Sequence, residues 1–552
     1  VRRLQKRVSL VVPVALLALG AAACGGSSSN SGSSNSAEPN TTATVKQGGT
    51  LTFASEKVPE GFNTNTNSDN TFDTQQQMSP LAPWVFNQTP DISTVALNTD
   101  LLDSAELTNK SPETVVYKIK QSAVWSDGVP ITADDFVYNW KHQNGSDPND
   151  DAATTTGYED IDNTVGSDNG KTVTVTFKNN YGDWKSLFTT LLPAHYMEKA
   201  GGWTAALKDG PPAVSGGPFV VSQYAKGNSL TLVRNDKYYG KRPALDKIVY
   251  RYITDSAAEP QALANNEVQM IYPQPQLDLV DQVKKIQGVK TELNLGLNFE
   301  HIDFNFKNSL LTDPAVRKAF ATGVDRQELV NATVKQFTDK ATVLNNHMFM
   351  PNQKGYQDNS GGISKGDIAA AQKILDAAGY TKGPDGIYAK NGQPLKFRYT
   401  VTQGNKLRER TEEIVVAQMK KVGIELDPAN TTKLGSTLSK ADFDIIQFGW
   451  VGTPFPVSSN VAIYTTSGGS NYGKYSNPDV DRLFSQAIRE IDPQKANDMV
   501  NQADKILFDQ VATLPLYQKP TFLASYDRFT NIVDNPTSQG PFYNTQDWGL
   551  KG

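Results

Sequence analysis

Apolar and polar residues change their spacing several times along the chain, and each change predicts an element. GGTLTFAS (48–55) reads as a short opening strand. In VVYKIK (115–120), Val115, Tyr117 and Ile119 share one face while Val116, Lys118 and Lys120 share the other, the two-residue period of a half-buried strand. Asp127-Gly128 then turns the chain. Thr132, with Asp135 three residues on, predicts a capping box that opens a helix carrying Phe136, Val137 and Trp140 on its inner side. KTVTVTFK (171–178) alternates again, and GGPFVVSQYAKGNSLTLVRN (216–235) predicts two strands joined at Lys226-Gly227-Asn228, with a further strand near 247–252.

Beyond residue 300 helices and strands alternate. Asp313-Pro314 starts a helix with Val316, Ala319 and Phe320 inward, and 368–378 predicts a second that stops at Gly379. LKFRYTV (395–401) alternates as a strand, a helix runs from about Leu407 to Val422 before Gly423, and FDIIQFGW (443–450) reads as a buried strand. Two more helices near 480–490 and 493–511 precede the strand TLPLYQ (513–518). No internal repeat is visible. A chain of 552 residues in this alternation predicts an α/β architecture of two or three lobes, since one core rarely organises so much sequence.

The first forty-five residues follow different rules. Arg2, Arg3, Lys6 and Arg7 precede an apolar run, 8–23, too short for a stable membrane span, which predicts a signal peptide over 1–23. The run closes on Leu19-Gly20-Ala21-Ala22-Ala23-Cys24, similar to the lipobox of bacterial lipoproteins, with Ala21 where that pattern favours Leu. The resemblance implies lipidation at Cys24 and anchoring to the outer face of the bacterial cytoplasmic membrane. The Gly/Ser/Asn/Thr tract that follows, to residue 45, has no apolar periodicity and predicts a flexible tether reaching about 25 Å.

Composition narrows the function classes. Hydrophobic residues make up 38 % and charged residues 20 %, with 7 Trp, 21 Tyr and 23 Phe, enough aromatics to line a pocket as well as fill a core. The formal charge is −5, and removal of the basic leader makes the remainder more acidic, which argues against nucleic acid as a partner. Cys24 is the single cysteine, so the body can form no internal disulfide, zinc-thiolate site or thiol nucleophile. The four histidines, His142, His195, His301 and His347, show no metal-ligand spacing, and neither a Gly-x-Ser-x-Gly elbow nor a phosphate-cradling Gly-x-x-x-x-Gly-Lys loop is present. The acidic stretch 147–162 lacks the ordered ligand spacing of a calcium loop and reads as a solvated loop. No cofactor, metal or enzymatic activity is expected.

VVYKIKQSAVWSDGVPITADDFVYNW (115–140) resembles the signature of the oligopeptide and dipeptide solute-binding proteins, the family 5 extracellular components of ABC importers. SGGPFVVSQYAKGNSLTLVRNDKYYG, DFNFKNSLLTDPAVRKAFATGVDRQELV, ILDAAGY, FDIIQFGW, YSNPDVDRLF and ATLPLYQ support it in the same order. The resemblance implies the type II periplasmic-binding-protein fold: two α/β lobes joined by two crossing strands, with a third domain inserted in the first. By position, the first lobe comprises 46–86, 209–293 and 513–552, the inserted domain 87–208, and the second lobe 294–512. It further implies a monomer that encloses a peptide or peptide-like solute between closing lobes and delivers it to a permease and its ATPase.

The same resemblance nominates site residues. Peptide-binding members place an Asp for the ligand's ammonium after the buried strand that ends in Gly-Trp, and here the segment is Gly449-Trp450-Val451-Gly452-Thr453, with Thr453 near that position. Asp442 and Asp444 are the nearby stand-ins. Trp450 suits a pocket wall or ordinary core packing, and Asn471 and Tyr472 a ligand-facing loop or a simple turn. Arg408 and Arg410 lie near where dipeptide binders place a carboxylate clamp, against the plainer reading of solvated side chains. Phe72, Gln76 and Trp84 are expected on the opposite wall. The altered Thr453 region keeps a second function open, an envelope regulatory or scaffold lipoprotein that uses the fold without transport; a secreted hydrolase would need a catalytic constellation that the sequence does not show.

Overall fold

The computed structural model describes residues 44–552, so the expected signal segment, Cys24 and the tether up to residue 43 lie outside the described residues. The first described strand already includes Val45, the last residue expected in the tether. Val45–Lys46 forms a short strand paired antiparallel with Gly549–Lys551, which ties the two ends of the body together.

A mixed ten-stranded sheet runs through the molecule in the order Glu425–Pro428, Lys396–Thr400, Ile445–Val451, Val289–Phe304, Thr513–Tyr526, Met270–Ile271, Thr50–Ser55, Lys247–Tyr252, Ser229–Arg234, Phe219–Ala225. Its centre is the antiparallel pair Val289–Phe304 and Thr513–Tyr526. At ~3.3 Å per residue these 16- and 14-residue strands each span roughly 50 Å, long enough to belong to both halves of the sheet. Asn298 to Phe304 pairs with Ile445–Val451 on one side, while Ser525 and Ala524 pair with Met270–Ile271 on the other.

The ladder between the two long strands breaks at its middle. Register shifts between Leu295 and Phe299 and again between Glu300 and His301. The bulged backbone is satisfied elsewhere: Leu297 N–H donates to the Pro536 carbonyl at 3.2 Å, and Gln518 Nε2 donates to the Gly296 carbonyl at 2.6 Å. Lys519 lies opposite the bulge, and Pro520, which pairs with Leu295 at its edge, has no N–H to give. A bulge bordered by a proline on the partner strand weakens pairing and increases local twist where the two halves meet.

Each half has its own core. On one, Phe304, Val316, Ala319, Phe320, Phe397, Tyr399, Val415 and Met419 pack helices Pro314–Gly323, Ile368–Ala377 and Lys406–Val422 onto the sheet. On the other, Leu51, Phe53, Leu230, Leu232, Ile248 and Tyr250 pack with Phe542 and Trp548. A separate four-stranded sheet, Leu102–Lys110, Glu113–Ile119, Thr172–Phe177 and Ile161–Ser167, carries the helix Ala133–Gln143.

Most sequence expectations have a direct counterpart. Val115, Tyr117 and Ile119 are buried, and Thr132 and Asp135 form the reciprocal capping box. The helix it opens is buried on a broader face than expected: Tyr138 and Asn139 are buried whereas Val137 and Trp140 are half-buried. Asn139 turns inward because its amide donates to the Leu192 carbonyl at 2.9 Å and accepts from the Leu192 N–H at 3.2 Å, stitching helix to loop. The strand expected at TLPLYQ runs on through Pro520 to Tyr526.

Candidate functional site

The bulged centre of the two long strands borders a cavity of about 270 Å³. Such a volume is close to the lower bound, about 300 Å³, of small-ligand sites. Its walls come from segments far apart in sequence. Glu56 and Lys57 follow the C-terminal end of Thr50–Ser55, and Tyr272 to Pro275 follow Met270–Ile271, its parallel neighbour. Phe72, Asp73 and Gln76 lie on the helix Phe72–Met78, Asn298, Lys519 and Thr521 on the long strands, and Val451 ends Ile445–Val451. Both halves of the sheet therefore contribute.

The local sequence explains why these side chains stand where they do. Thr71 caps the helix by accepting the Thr74 N–H at 3.2 Å, which sets Phe72 and Asp73 in its first turn. The Phe72 ring stacks with Tyr272 at 6.0 Å and 29°. Tyr272 is held from behind: its hydroxyl donates to Asp534 at 2.6 Å, and Asn294 Nδ2 donates to the same carboxyl at 2.9 Å. Burial pushes the Asp534 carboxyl up to about 6 against these donors.

Charge is unevenly distributed. Burial, reinforced by the charge of Asp73, pushes Glu56 up to about 7, and burial also raises Asp73. Lys519 Nζ lies 3.2 Å from Glu300 Oε1, while Arg408 donates to the same carboxylate through Nε at 2.9 Å and Nη2 at 2.8 Å. These two cations outweigh burial and hold Glu300 down at about 2. Gly449 leaves the space the pair needs, because a Cβ there would sit 2.9 Å from Glu300 Oε1 and 3.2 Å from Arg408 Nη2.

Of the residues nominated from sequence, the structure brings Phe72, Gln76 and Val451 together in this cavity. Val451 is 54 % exposed, the most exposed of the four exposed large apolar side chains among the described residues. Trp450 and Thr453 line a smaller neighbouring crevice with Val451. Trp450 stacks with His301 at 5.9 Å and 14° and with Tyr472 at 5.9 Å and 12°, so its ring is engaged in an aromatic row on the sheet. Thr453 Oγ1 accepts the Phe455 N–H at 3.2 Å.

The remaining nominees are placed otherwise. Arg408 is no free clamp: its fork is closed on buried Glu300, and Nη1 donates to Thr402 at 2.8 Å. Arg410 is exposed and pairs with Glu413 at 2.9 Å. Asn471 is buried in a turn, with its amide donating to the Thr465 and Tyr475 carbonyls at 3.0 and 2.7 Å. Trp84 is 3 % exposed and borders a separate crevice. Asp442 and Asp444 cannot stand in near Thr453, since they sit at the opposite end of Ile445–Val451, roughly 20 Å away at ~3.3 Å per residue, where both engage Arg398.

Sequence reasoning missed Glu56, Asp73, Tyr272, Asn298 and Lys519. One signal was present for the first: ligands of open α/β sheets gather beyond the carboxyl ends of parallel strands, and Glu56-Lys57 directly follows the opening strand.

Comparison with known proteins places this cleft in a family context. Residues 96–472 match the model for "Bacterial extracellular solute-binding proteins, family 5 Middle". The chain is 32 % identical over 498 residues to the oligopeptide-binding protein OppA of Mycobacterium tuberculosis, covering 89 % of this chain and 83 % of that one. It is 30 % identical over 331 residues to the probable monoacyl phosphatidylinositol tetramannoside-binding protein LpqW of Mycobacterium tuberculosis, over 58 % of this chain and 51 % of that protein. Among solved structures, the periplasmic EDTA-binding protein EppA superposes with a TM-score of 0.90 at 33 % identity, covering 94 % of this chain and all of that one. The fold is that of the type II periplasmic binding proteins, and the chain belongs to the family 5 bacterial extracellular solute-binding proteins.

Proposed function

We propose that the protein captures a peptide or peptide-like solute in the cleft between its two lobes and delivers it to the permease and ATPase of an ABC importer. The observation that carries this reading is the position of the cavity. It is bounded by side chains of both halves and lies against the bulged centre of the only long strands that join them among the described residues. Ligand contacts with both walls are available only when the walls approach, so binding shifts the population toward the closed form.

The lining suits a zwitterion. Glu56 and Asp73 supply carboxyl groups and Lys57 an ammonium group, with Lys519 beside them on Glu300, and the bulged strand contributes Asn298. EppA is an EDTA-binding protein by name, but a polyanionic chelate would face Glu56 and Asp73 here, whereas a peptide presents one charge of each sign. The likeness to OppA supports the same choice. The protein acts as a monomer, without catalysis, held through lipid on Cys24.

Calorimetry of the body lacking residues 1–43 with a short-peptide panel and metal–EDTA tests this. Saturable peptide binding with a decrease in radius of gyration is expected. Binding of the chelate alone would replace peptide by chelate as the cargo. The partial match to LpqW favours a second reading, an envelope regulatory lipoprotein. Loss of peptide uptake on gene deletion counts against it, and recovery of envelope-biosynthesis proteins instead of a permease in pull-downs supports it.

A further inference from the structure

We propose that Glu56 and Asp73, backed by Glu259, form a subsite for a cationic group of the solute, an ammonium or a guanidinium. This rests on the solute-capture reading above and adds the chemical class of one end of the ligand.

Among the residues lining the cavity, Glu56 and Asp73 are the two carboxylates. Both come from the half that carries Thr50–Ser55, so the acid of the cleft sits on one wall. The stacked rings of Phe72 and Tyr272 line the same wall, and an aromatic face beside a carboxylate is a favourable seat for an organic cation.

Glu259 is the independent observation. It opens the helix Glu259–Ala264, is 0 % exposed, and neither of its carboxyl oxygens has a hydrogen-bond partner. Burial, together with the charges of Glu56 and Asp73, pushes it up to about 9. A buried carboxyl with no donor is costly, and three carboxyls that feel one another cannot all ionise without a counter-charge. The nearest cation is Lys57, whose Nζ is 3.7 Å from Asp73 Oδ2, but its side chain is 69 % exposed and such a contact is weak. Lys519, which also lines the cavity, is engaged with Glu300. The wall therefore lacks a matched cation of its own.

A bare metal ion is a poor match, since among the described residues no group of three or more His, Cys, Asp or Glu side chains is arranged to hold one. An organic cation spreads its charge over a larger volume and has an apolar stem to lay on Phe72 and Tyr272, which fits the wall.

The test is calorimetry with alanine pentapeptides carrying one arginine at each position in turn, against the same peptides carrying neutral citrulline, with agmatine as a non-peptide cation. At least one arginine peptide is expected to bind tenfold or more tighter than its citrulline partner. In Glu56→Gln/Asp73→Asn that preference falls to less than threefold, and Glu259→Gln reduces it partially. With wild-type protein alone, arginine affinity rises between pH 6 and 8 while citrulline affinity stays flat, because the guanidinium does not titrate and Glu56 does. Equal binding of both series, unchanged by the substitutions, overturns the cation subsite and leaves peptide capture intact. Binding of agmatine but no peptide, lost in the double variant, keeps the subsite and removes the peptide reading. No binding of any probe removes both.

Discussion

Glu300 shows how one side chain ties the cleft to the interior. Two cations converge on it, Arg408 in a bidentate fork and Lys519 from the facing long strand, and Gln447 Nε2 adds a weaker contact at 3.4 Å. Removing one partner of a buried pair strands the others in low dielectric, at a cost of about 3–5 kcal/mol. Glu300→Gln is therefore expected to lower the unfolding free energy by about that amount, read by urea denaturation, while Arg410→Ala, at an exposed pair, changes it by less than about 1 kcal/mol. The carboxyl is held below its unfolded value, so the pair's contribution is complete above about pH 4.5 and is lost as pH falls toward about 2. Equal effects of the two substitutions would dissolve this distinction. Arg408 was nominated as a ligand clamp because nothing in the local sequence reveals that a glutamate 108 residues earlier occupies its fork.

At the scale of elements, the sequence was readable wherever a segment determines its own structure. The alternation of Val115, Tyr117 and Ile119 follows from a two-residue pleat, and Thr132 with Asp135 from the unpaired N–H groups of a helix start. Thr132→Ala is accordingly expected to cost about 1 kcal/mol in chemical denaturation, with solute affinity unchanged because the capped helix lies outside the cavity wall. A change in affinity would mean that this layer is coupled to the cleft. The two long strands were not readable in the same way. Pro520 interrupts the apolar run after TLPLYQ, and the bulge at Gly296, Leu297 and Asn298 breaks the alternation of Val289–Phe304. Their length is set by partners on two different flanks. The site suffers more from this, because Glu56, Asp73, Tyr272, Lys519 and Val451 meet only through sheet order and register.

Across the whole molecule, the acid wall gives stability a pH dependence of its own. Glu56 and Glu259 are pushed up to about 7 and about 9, so between about pH 4.5 and those values the folded protein holds protons that the unfolded chain releases. Stability is then complete below about pH 4.5 and falls as pH rises through 7 and 9. Glu300 opposes this only at the acid end, where its contribution is lost below about pH 4.5. The ligand-free melting temperature is expected to decline from pH 5 to pH 9, and Glu259→Gln to flatten the upper part of that decline. A wild-type profile that rises over this range would contradict the assignment of these two groups.

Closure should also be felt far from the cavity. The four-stranded layer meets the half that holds Ile445–Val451 along a second seam: Gly182 N–H donates to the Ile488 carbonyl at 2.9 Å, Ser458 N–H to Asp183 at 2.9 Å, and Arg489 to the Asn180 carbonyl at 3.0 Å, with Arg489 also paired to Asp160. The fit is close, since a Cβ on Gly182 would lie 2.1 Å from the Glu490 carbonyl oxygen. None of these residues lines the cavity. If the seam forms as the lobes close, weakening it leaves the closed-state contacts with ligand untouched and lowers the fraction of closed protein, and apparent affinity falls by that fraction. Gly182→Ala and Arg489→Ala are therefore expected to raise the apparent Kd about tenfold, equivalent to about 1.4 kcal/mol, and to enlarge the ligand-free radius of gyration. A lower melting temperature with unchanged Kd would instead make the seam a permanent part of the core, and motion would be confined to the bulged pair beside the cavity.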